Sequence, residues 1–339
     1  MGSTSPDDAD RAPTIYDVAR RAGVAPSTVS RAFARPGRVS TATAQKIRAV
    51  AEEIGYRANP IARALSTHRS GMIALVVPDI TNPVNFPVIR GAETTAAEAG
   101  YTLVLADSRE SGERERAALD RVAGSVEGVL LTSSRMSDAA VRTLTKRGPV
   151  VVLNRAITGI PSVVTDNPRG VRRAMEHLGS LGHHTITYLA GPEASWVDGM
   201  RWRAVREASL ELLLTAHRIG PLVPTVAGGA RAVQRWLERP TSAVLAYNDQ
   251  MAIGFMQGLR ERGIVVPDQV SVVGFDNILA ADWVTPTLTT VASPLRAMGA
   301  TAAQHLIAMI GGAKPHAQAP VVLPVRLTVR GSTGPRARS

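Results

Sequence analysis

Hydroxyl side chains and one arginine lie close together at the start of a short helix that the sequence predicts over residues 26–34. Pro26 fits the first helical position, where a missing N–H removes no helical hydrogen bond. Ser27, Thr28 and Arg31 follow on the side that we expect to be exposed. Hydroxyl groups at a helix start can bond phosphate oxygens or base edges, and an arginine can pair with guanine. The spacing therefore predicts chemistry toward the major groove of DNA.

Two further helices have to position this one. Thr14 can cap a first helix, because Asp17 falls three residues later and its carboxylate can reach back to the cap N–H. Gly23 ends that helix, since glycine adopts a positive φ at little cost. A third helix over residues 41–54 repeats apolar residues at three- and four-residue spacing. The arrangement predicts a helix-turn-helix DNA reader; the alternative is a three-helix packing unit without that function.

Short apolar runs alternate with helix-like stretches from residue 71 onward. Strands of this kind, separated by helices, predict parallel sheets covered on both faces, an α/β fold. About 270 residues exceed one ordinary domain, so two lobes are expected. The predicted strands cover 72–77, 101–106, 128–133, 149–154, 185–190, 242–247 and 270–275, and the predicted helices include 86–99, 112–124, 168–181, 200–214 and 250–262.

Polar side chains follow many of these strands. Carboxylates and amides in this position can bond sugar hydroxyls, a nucleoside ribose or a polar acid, and ligands of open parallel sheets lie beyond the carboxyl ends of the strands. The alternative is that the same side chains only cap the next helix or turn. The residues are Asp79, Asn82, Asn154, Arg155, Asp166, Asn248, Asp249 and Asp276.

A series of short motifs runs in order along the whole chain. They are YDVA at 16–19, AGV at 22–24, STVSR at 27–31, GY at 55–56, NPIARAL at 59–65, PDITNP at 78–83, LGH at 181–183, YND at 247–249 and VSVVGFD at 270–276. Together they resemble the LacI-type (lactose-repressor, GalR) family of transcriptional regulators. The resemblance implies a helix-turn-helix head, a hinge helix and a two-lobed core like that of periplasmic binding proteins. It also implies a homodimeric repressor that binds a palindromic operator and a small-molecule effector in the cleft between the lobes.

The segment 59–65 matches the hinge of that family. The resemblance implies that two hinge helices enter the minor groove together and that their Leu65 side chains wedge a central base step. Asn59 would cap or position the helix, and Ala62 would allow close approach. The alternative for Leu65 is a core position within the linker. We expect the DNA contacts to come from Thr14, Tyr16, Pro26, Ser27, Thr28, Ser30, Arg31, Arg38, Asn59, Ala62, Arg63 and Leu65.

The predicted domain boundaries follow from the motifs and the resemblance. We expect a disordered tail at 1–13, the DNA-binding domain at 14–58, the hinge and linker at 59–69, the effector-binding and dimerisation domain at 70–331, and a disordered tail at 332–339. Within that domain the first lobe would comprise about 70–165 and 292–320, and the second about 166–291 and 321–331. Helix 86–99 and the region 276–285 are the candidate dimer contacts.

The effector site departs from the family pattern at two places. The arginine that follows the family's GPxSS-like loop aligns with Gly199 here, although Arg201 could replace it. Val84-Asn85 stands where the family has an aromatic pair, and Trp196 could supply an aromatic face instead. The effector is therefore a sugar, a nucleoside or a polar acid, or it is unusual or absent. By resemblance Asn154, Asn248 and Asp276 match effector contacts, and the full predicted set is Asp79, Asn85, Asn154, Asp166, Trp196, Arg201, Asn248 and Asp276.

Composition narrows the function classes. The net charge is +11, and residues 14–69 hold ten Arg or Lys against three Asp or Glu, which places +7 there, as expected of a polyanion binder. The absence of cysteine excludes disulfides and thiolate metal sites. We find no apolar stretch near the ~20 residues that span a membrane, no signal peptide, and no catalytic or metal-binding constellation. We therefore expect a cytoplasmic protein, associated with the bacterial nucleoid when bound to its operator, that is not an enzyme and needs no cofactor. A cytosolic small-molecule sensor without DNA function is the less favoured alternative.

Overall fold

The computed structural model describes residues 13–34, 37–56, 69–314 and 319–336, in two compact units divided between Gly71 and Met72. The described residues of the N-terminal unit form three helices, α1 (Ile15–Ala22), α2 (Pro26–Ala34) and α3 (Thr41–Glu53). They pack around a small core that includes the fully buried Val18, Val29 and Ile47. The rings of Phe33 and Tyr56 lie 5.8 Å apart at its edge. The three predicted helices are therefore confirmed.

Local side chains fix where these helices begin and end. The backbone N–H of Thr14 donates to Asp17 Oδ2 at 2.9 Å, as the capping box predicts. Gly23 follows α1 with φ 65°, in the left-handed region. Ser40 caps α3, since its hydroxyl accepts from the N–H of Thr43 at 3.3 Å. These caps satisfy backbone groups that a helix end would otherwise leave unpaired.

Two six-stranded sheets form the C-terminal unit. The order in the first sheet is β11-β5-β4-β3-β1-β2, and all its strands are parallel. The order in the second is β12-β10-β9-β8-β6-β7, parallel except for β12. The strands are β1 (Met72–Val77), β2 (Thr102–Asp107), β3 (Val129–Thr132), β4 (Val150–Leu153), β5 (Ser162–Thr165), β6 (Thr185–Leu189), β7 (Thr215–Ile219), β8 (Ala243–Ala246), β9 (Ser271–Asp276), β10 (Thr289–Ala292), β11 (Val321–Leu323) and β12 (Arg326–Thr328).

Helices cover both faces of each sheet, and each face buries its own apolar cluster. The helices α4 and α12 pack directly on the first sheet, and a Cβ added at Gly91 or Gly299 would lie 2.0 Å from a carbonyl oxygen of the other helix. Only glycine permits this approach. The helices are α4 (Asn85–Glu98), α5 (Gly112–Val122), α6 (Asp138–Thr145), α7 (Asn167–Ser180), α8 (Trp196–Glu211), α9 (Val226–Leu237), α10 (Asp249–Arg260), α11 (Ala280–Trp283) and α12 (Leu295–Ile310).

The chain passes between the two lobes three times. It leaves β5 for α7, β10 for α12 and β11 for β12. Each passage starts at the carboxyl end of a strand that runs parallel to its sheet. The carboxyl ends of the two sheets are therefore the edges that adjoin each other, which is where the predicted polar residues lie.

One predicted boundary is wrong. We assigned residues 321–331 to the second lobe, but β11 pairs with β5 and belongs to the first sheet. Pro324 ends this strand, because proline has no N–H with which to continue a ladder. The third passage therefore lies at residues 324–325.

The predicted disorder of the C-terminal tail is also wrong as far as residue 336. Ser332 is fully buried, and its hydroxyl donates to the carbonyl of Val272 at 2.6 Å and accepts from the N–H of Thr289 at 2.8 Å. The N–H of Arg336 donates to the carbonyl of Leu181 at 2.8 Å. The Ser, Thr and Gly residues of this tail suggested disorder. In the structure, polar groups of the tail form hydrogen bonds with backbone groups at the edge of the second sheet that lies opposite the cleft.

His183 holds the same tail. Its Nε2–H donates to the carbonyl of Gly334 at 3.1 Å, and its Nδ1 accepts from the hydroxyl of Ser242 at 2.9 Å. This histidine, the last residue of the LGH motif, is buried and has a structural role. Across the described ranges, no helix is both long and apolar enough to cross a membrane, and no group of acidic or histidine side chains is arranged to hold a metal ion.

Candidate functional site

The first candidate surface lies on α2. Pro26, Ser27 and Arg31 are exposed, whereas Thr28 and Ser30 are half-buried. Arg31 lies back along the helix, where its Nε donates to the carbonyl of Ser27 at 3.0 Å and its Nη2 to the Ser27 hydroxyl at 3.2 Å. The helix thus presents hydroxyl and guanidinium groups together, as the sequence predicted.

The other predicted DNA contacts differ in their surroundings. Tyr16 is 65% exposed, and Arg38 is exposed. Thr14 is engaged locally, since its hydroxyl donates to Asp17 Oδ2 at 2.6 Å. The predicted hinge residues Asn59, Ala62, Arg63 and Leu65 lie outside the described residues. Each DNA contact stays a prediction.

Strained backbone marks the second candidate site, at the carboxyl ends of the strands. A residue other than glycine costs free energy when its backbone adopts the left-handed region, and such residues concentrate at functional sites. Ser133 follows β3 with φ 49°, and Asn154 follows β4 with φ 58°. Asp276 at the end of β9 has φ 107°, and Asn277 has φ 61°. Left-handed residues therefore occur at strand ends on both sides of the cleft.

A buried ion pair lies at the centre of the second lobe's side. Arg201 Nη2 donates to Asp276 Oδ1 at 3.3 Å, and the two side chains are only 5% and 12% exposed. Arg201 also donates from Nε to Asn167 Oδ1 at 2.9 Å and from Nη1 to the carbonyl of Tyr247. Its guanidinium lies 3.4 Å from the centre of the Phe275 ring. Arg201 is thus held by an acid, an amide, a carbonyl and an aromatic face.

The same ion pair sets the protonation of Asp276. Burial raises the pKa of Asp276 to about 6, and the charge of Arg201 and its hydrogen bond act in the opposite direction. Burial in a poorly solvated place disfavours a charged carboxylate, while a nearby cation favours it. Near neutral pH the carboxylate is mainly ionised and available to accept hydrogen bonds.

Of the two positions considered for the family arginine, Gly199 and Arg201, only Arg201 reaches the strand ends. Gly199 is exposed, and a Cβ added there would meet nothing within 4 Å. Arg201, two residues later on α8, points to the opposite side and carries the buried guanidinium. Positions two apart on a helix face different directions, which is why only one of the two positions faces the strand ends. A buried arginine is therefore present there, and its contact with an effector stays a prediction.

A second buried acid lies behind Asp276. Asp249 is fully buried, accepts from the hydroxyl of Thr290 at 2.6 Å and accepts from the N–H of Ile278 at 2.8 Å. Burial and, secondarily, the charge of Asp276 raise the pKa of Asp249 to about 8. The protonated Asp249 therefore supports the backbone after Asp276 rather than facing a ligand.

Several predicted effector contacts act as caps. Asn248 caps α10 by accepting from the N–H of Met251 at 2.9 Å, and Asp166 caps α7 by accepting from the N–H of Arg169 at 3.1 Å. Asn248 is buried and directly follows Tyr247, whose carbonyl accepts from Arg201. Helix capping by Asn248 and Asp166 is the structural alternative that the sequence left open.

In the first lobe, Asp79 and Asn85 hold their own loop. Asp79 accepts from the N–H of Thr81 at 2.8 Å, and the Asn85 amide donates to the carbonyl of Asp79 at 2.7 Å. Asn154 is partly exposed beside β4, and Trp196 is partly exposed at the start of α8. Val84 packs against apolar clusters of both lobes, where the family has an aromatic side chain.

Sequence reasoning missed two residues, one in each lobe, that are near enough for the charge of Arg135 to act on Tyr247. Arg135 of the first lobe is 6% exposed and pairs with Glu110 at 2.6 Å. Tyr247 of the second lobe bonds the hydroxyl of Ser195 at 3.1 Å. Burial raises the pKa of Tyr247, and the charges of Arg201 and then Arg135 partly offset this. No motif marked Arg135, and Tyr247 lay inside YND, whose polar residues drew the prediction.

Charges in the cleft are balanced within each lobe. Arg201 faces Asp276, and Arg135 faces Glu110. The hydroxyl oxygens of Thr132, at the end of β3, and Ser293, after β10, are buried without a hydrogen-bond partner among the described residues. The arrangement can donate and accept many hydrogen bonds without presenting a large net charge.

Comparison with known proteins gives consistent matches over nearly the full length. Residues 14–59 match bacterial regulatory proteins of the lacI family, and residues 175–333 match the periplasmic binding protein-like domain. The chain is 35% identical over 340 residues to the HTH-type transcriptional regulator DegA of Bacillus subtilis (strain 168), covering 95% of this chain and 98% of that protein.

Solved structures agree in fold and sequence. The lac repressor dimer bound to operator and the anti-inducer ONPF matches with a TM-score of 0.85 and 27% identity, covering 96% of this chain and 100% of that chain. A LacI family transcriptional regulator from Enterococcus faecium with bound ribose matches with a TM-score of 0.69 and 31% identity, covering 78% and 99%. The chain therefore belongs to the LacI family of bacterial regulatory proteins.

Proposed function

We propose that this chain is a cytoplasmic, homodimeric transcriptional repressor whose binding to a palindromic operator is controlled by a small polar effector between its lobes. The observation that carries the proposal is the buried Arg201–Asp276 pair at the strand ends, in a chain that also presents hydroxyl and guanidinium groups on α2. The first feature supports a ligand site, and the second supports a DNA reader. Relatives support the combination, since they are named as transcriptional regulators and not as enzymes.

A neutral polyhydroxylated effector, such as a sugar or a nucleoside ribose, fits the charges best. Both guanidinium groups, of Arg201 and Arg135, already have carboxylate partners. An anionic effector buried here would be repelled by Asp276 and would lose its hydration. Neither of these two guanidinium groups is free to offset that cost. Hydroxyl groups could instead bond Asp276 and the unpaired hydroxyls of Thr132 and Ser293. Ribose in a relative of 31% identity supports this class.

The proposed dimer would use exposed apolar side chains on the second lobe. Leu279 and Trp283 are 70% and 75% exposed, and Trp283 borders a groove whose other wall is α10. Phe86, on α4, is 53% exposed and supports a second contact in the first lobe. A two-fold dimer places two copies of α2 on the two halves of a palindrome.

One alternative is a regulator that has lost its effector. Val84 supports it, because an aliphatic side chain packed on both lobes replaces an aromatic platform for a sugar face. Under this alternative DNA binding is unchanged by any small molecule. The left-handed backbone at Asn154 and Asp276 argues against it, because strained residues concentrate at functional sites.

The test measures binding of the purified full chain to the DNA upstream of its own gene, at two salt concentrations, with and without a panel of sugars, nucleosides and small acids. We expect tight binding to one palindrome, much weaker binding to scrambled DNA, and weakening by salt. A neutral polyol that changes this affinity would identify the effector class and show whether it induces or corepresses. Specific binding that no compound alters would favour the alternative.

Two variants separate the two sites. Leu65→Ala should weaken specific operator binding by up to a few kcal/mol and leave effector affinity unchanged. Asp276→Ala should abolish the effector response and leave binding to the palindrome intact. Equal operator affinity of Leu65→Ala and the natural chain would refute the hinge prediction, and an unchanged response of Asp276→Ala would refute the site.

A further inference from the structure

The loop that follows β9 connects the effector site to an exposed apolar surface. It begins at Asp276 and Asn277 in left-handed backbone and ends in the short helix α11. Leu279 and Trp283, at its outer end, are mostly exposed. Its inner end is held from below, since Asp249 accepts from the N–H of Ile278. Only six residues therefore separate Asp276, the acid of the site, from Trp283 at the outer end of the loop.

A single guanidinium spans this loop from outside. Arg330 Nη2 donates to Asn277 Oδ1 at 2.9 Å, and its Nε pairs with Asp282 Oδ1 at 2.6 Å. Its Nη1 donates to the carbonyl of Leu288 at 2.8 Å. The Arg330 side chain is 13% exposed, although Asp282 is 59% exposed. Three nitrogen atoms of one rigid group thus contact the start, the outer helix and the end of the loop.

The sheet fixes Arg330 in place. Its backbone N–H donates to the Thr289 hydroxyl at 2.9 Å, two residues after the end of β12. β12 pairs antiparallel with β10, so the arginine is attached to the second lobe and not to the loop itself. A planar guanidinium holds its donors in a fixed fork. If Asn277 moves, the guanidinium of Arg330 moves with it, and the position of Asp282 changes as well.

We propose that Arg330 is a positioning residue that makes the effector loop and the apolar surface of α11 move as one body. The inference rests on the proposed function, which makes Asp276 an effector contact and Trp283 a dimer contact. A ligand that displaces Asp276 would then alter the dimer surface through Asn277, Arg330 and Asp282. Without Arg330 the two ends respond separately.

The first test uses hydrogen exchange in the full chain and does not depend on an effector. Asn277→Ala perturbs the inner end, and the reporter is the amide of Leu288, which donates to the carbonyl of Ala281 beside α11. We expect Asn277→Ala to speed exchange at Leu288 several-fold. In an Arg330→Met background the same substitution should add nothing further. Equal effects of Asn277→Ala with and without Arg330 would overturn the proposal.

The matched control is Arg326→Met, on the same terminal segment. Arg326 is exposed in β12 and lies four residues before Arg330. It should leave the effect of Asn277→Ala on Leu288 exchange unchanged. A general loosening of β12 would affect both arginine variants, whereas the proposed coupling is lost only with Arg330.

The second readout is the dimer dissociation constant from sedimentation over a range of concentrations. We expect Arg330→Met to weaken the dimer roughly tenfold, as loss of a partly buried ion pair and two hydrogen bonds suggests, and Arg326→Met to leave it unchanged. Undiminished dimerisation of Arg330→Met would overturn the link to the dimer surface. A natural chain that is monomeric at every concentration would instead refute the proposed dimer, and the exchange measurement would still decide the coupling.

Discussion

Asp249→Asn tests whether a buried, protonated acid supports the effector loop. Asp249 is fully buried, and its pKa is raised to about 8. The ionised carboxylate accepts from the Thr290 hydroxyl and from the N–H of Ile278. Once Asp249 is protonated, its own O–H can donate to the Thr290 oxygen while its other oxygen still accepts from Ile278. Asparagine reproduces this pattern, with its amide nitrogen toward Thr290 and its oxygen toward Ile278. We expect Asp249→Asn to fold with a similar stability at pH 5.

The magnitude follows from the difference in proton affinity between the folded and unfolded chain. The folded pKa lies above the unfolded value of 3.8, so the folded state binds an extra proton between these two values. The resulting stability is complete below pH 3.8 and is lost as pH rises toward 8, by about 1.4 kcal/mol per pH unit. Between pH 5 and pH 7 the natural chain should lose about 3 kcal/mol that Asp249→Asn does not lose.

The assay is urea unfolding at pH 5, 6, 7 and 8, followed by tryptophan fluorescence. All four tryptophans lie in the C-terminal unit, so the signal reports the lobe that contains Asp249. Other titrating groups act in both proteins and cancel in the comparison. Thr290→Val adds a check, because the Thr290 hydrogen bond lowers the pKa of Asp249 and its loss should extend the pH dependence upward. A stability difference between Asp249→Asn and the natural chain that is constant with pH would refute the reasoning.

Three further predictions concern the other buried and exposed groups. Arg201→Met should leave Asp276 without its cation and raise the pKa of Asp276 above about 6. It should destabilise the chain by roughly 3–5 kcal/mol at pH 8. Thermal unfolding at pH 5, where Asp276 is protonated, should show a smaller loss of stability. Burial lowers the pKa of His183, which costs stability as pH falls. In urea unfolding, the stability of the natural chain relative to His183→Gln should therefore fall between pH 7 and pH 5, while the Asp249 contribution is common to both proteins and cancels. Arg31→Ala should cost about 1–3 kcal/mol of operator affinity and relax the preference at one base pair of each half-site, in a competition assay with single-base variants; an equal loss on every sequence would assign Arg31 to a phosphate instead.

The elements that repeat apolar residues could be predicted from the sequence. Helix α2 begins and ends where proline and spacing indicated, and seven strands were placed to within a residue or two. The strands β5, β7 and β10 were not predicted. In β7, TAHRI has polar residues at three of its five positions and lies at the edge of the sheet without a buried run. The segment 321–331 does form strands, but Pro324 separates the three-residue strands β11 and β12, which pair in different sheets.

The candidate site could be predicted only in part. Strand-end motifs indicated Asp276 and Asn248, since ligands of parallel sheets lie at that edge. Arg201 was named only as a substitute for Gly199, because a motif in one dimension does not show which side of α8 faces the strands. Asp249 was indicated by the YND motif only as one of several strand-end polar residues, and its role behind Asp276 was not predicted. Arg135 and Arg330 carried no motif at all. The contacts of all three residues come from distant parts of the chain.

The sequence by itself determined the family, the order of the units and the types of polar groups available, because capping residues, apolar periods and short motifs act over a few neighbouring residues. Only the tertiary structure decided which groups meet. The passage at 324–325, the docked tail around Ser332 and the pairing of Arg201 with Asp276 all join residues far apart in the chain. The pKa of Asp249 likewise depends on the burial that these long-range contacts create, and burial is a property of the packed molecule and not of any local segment.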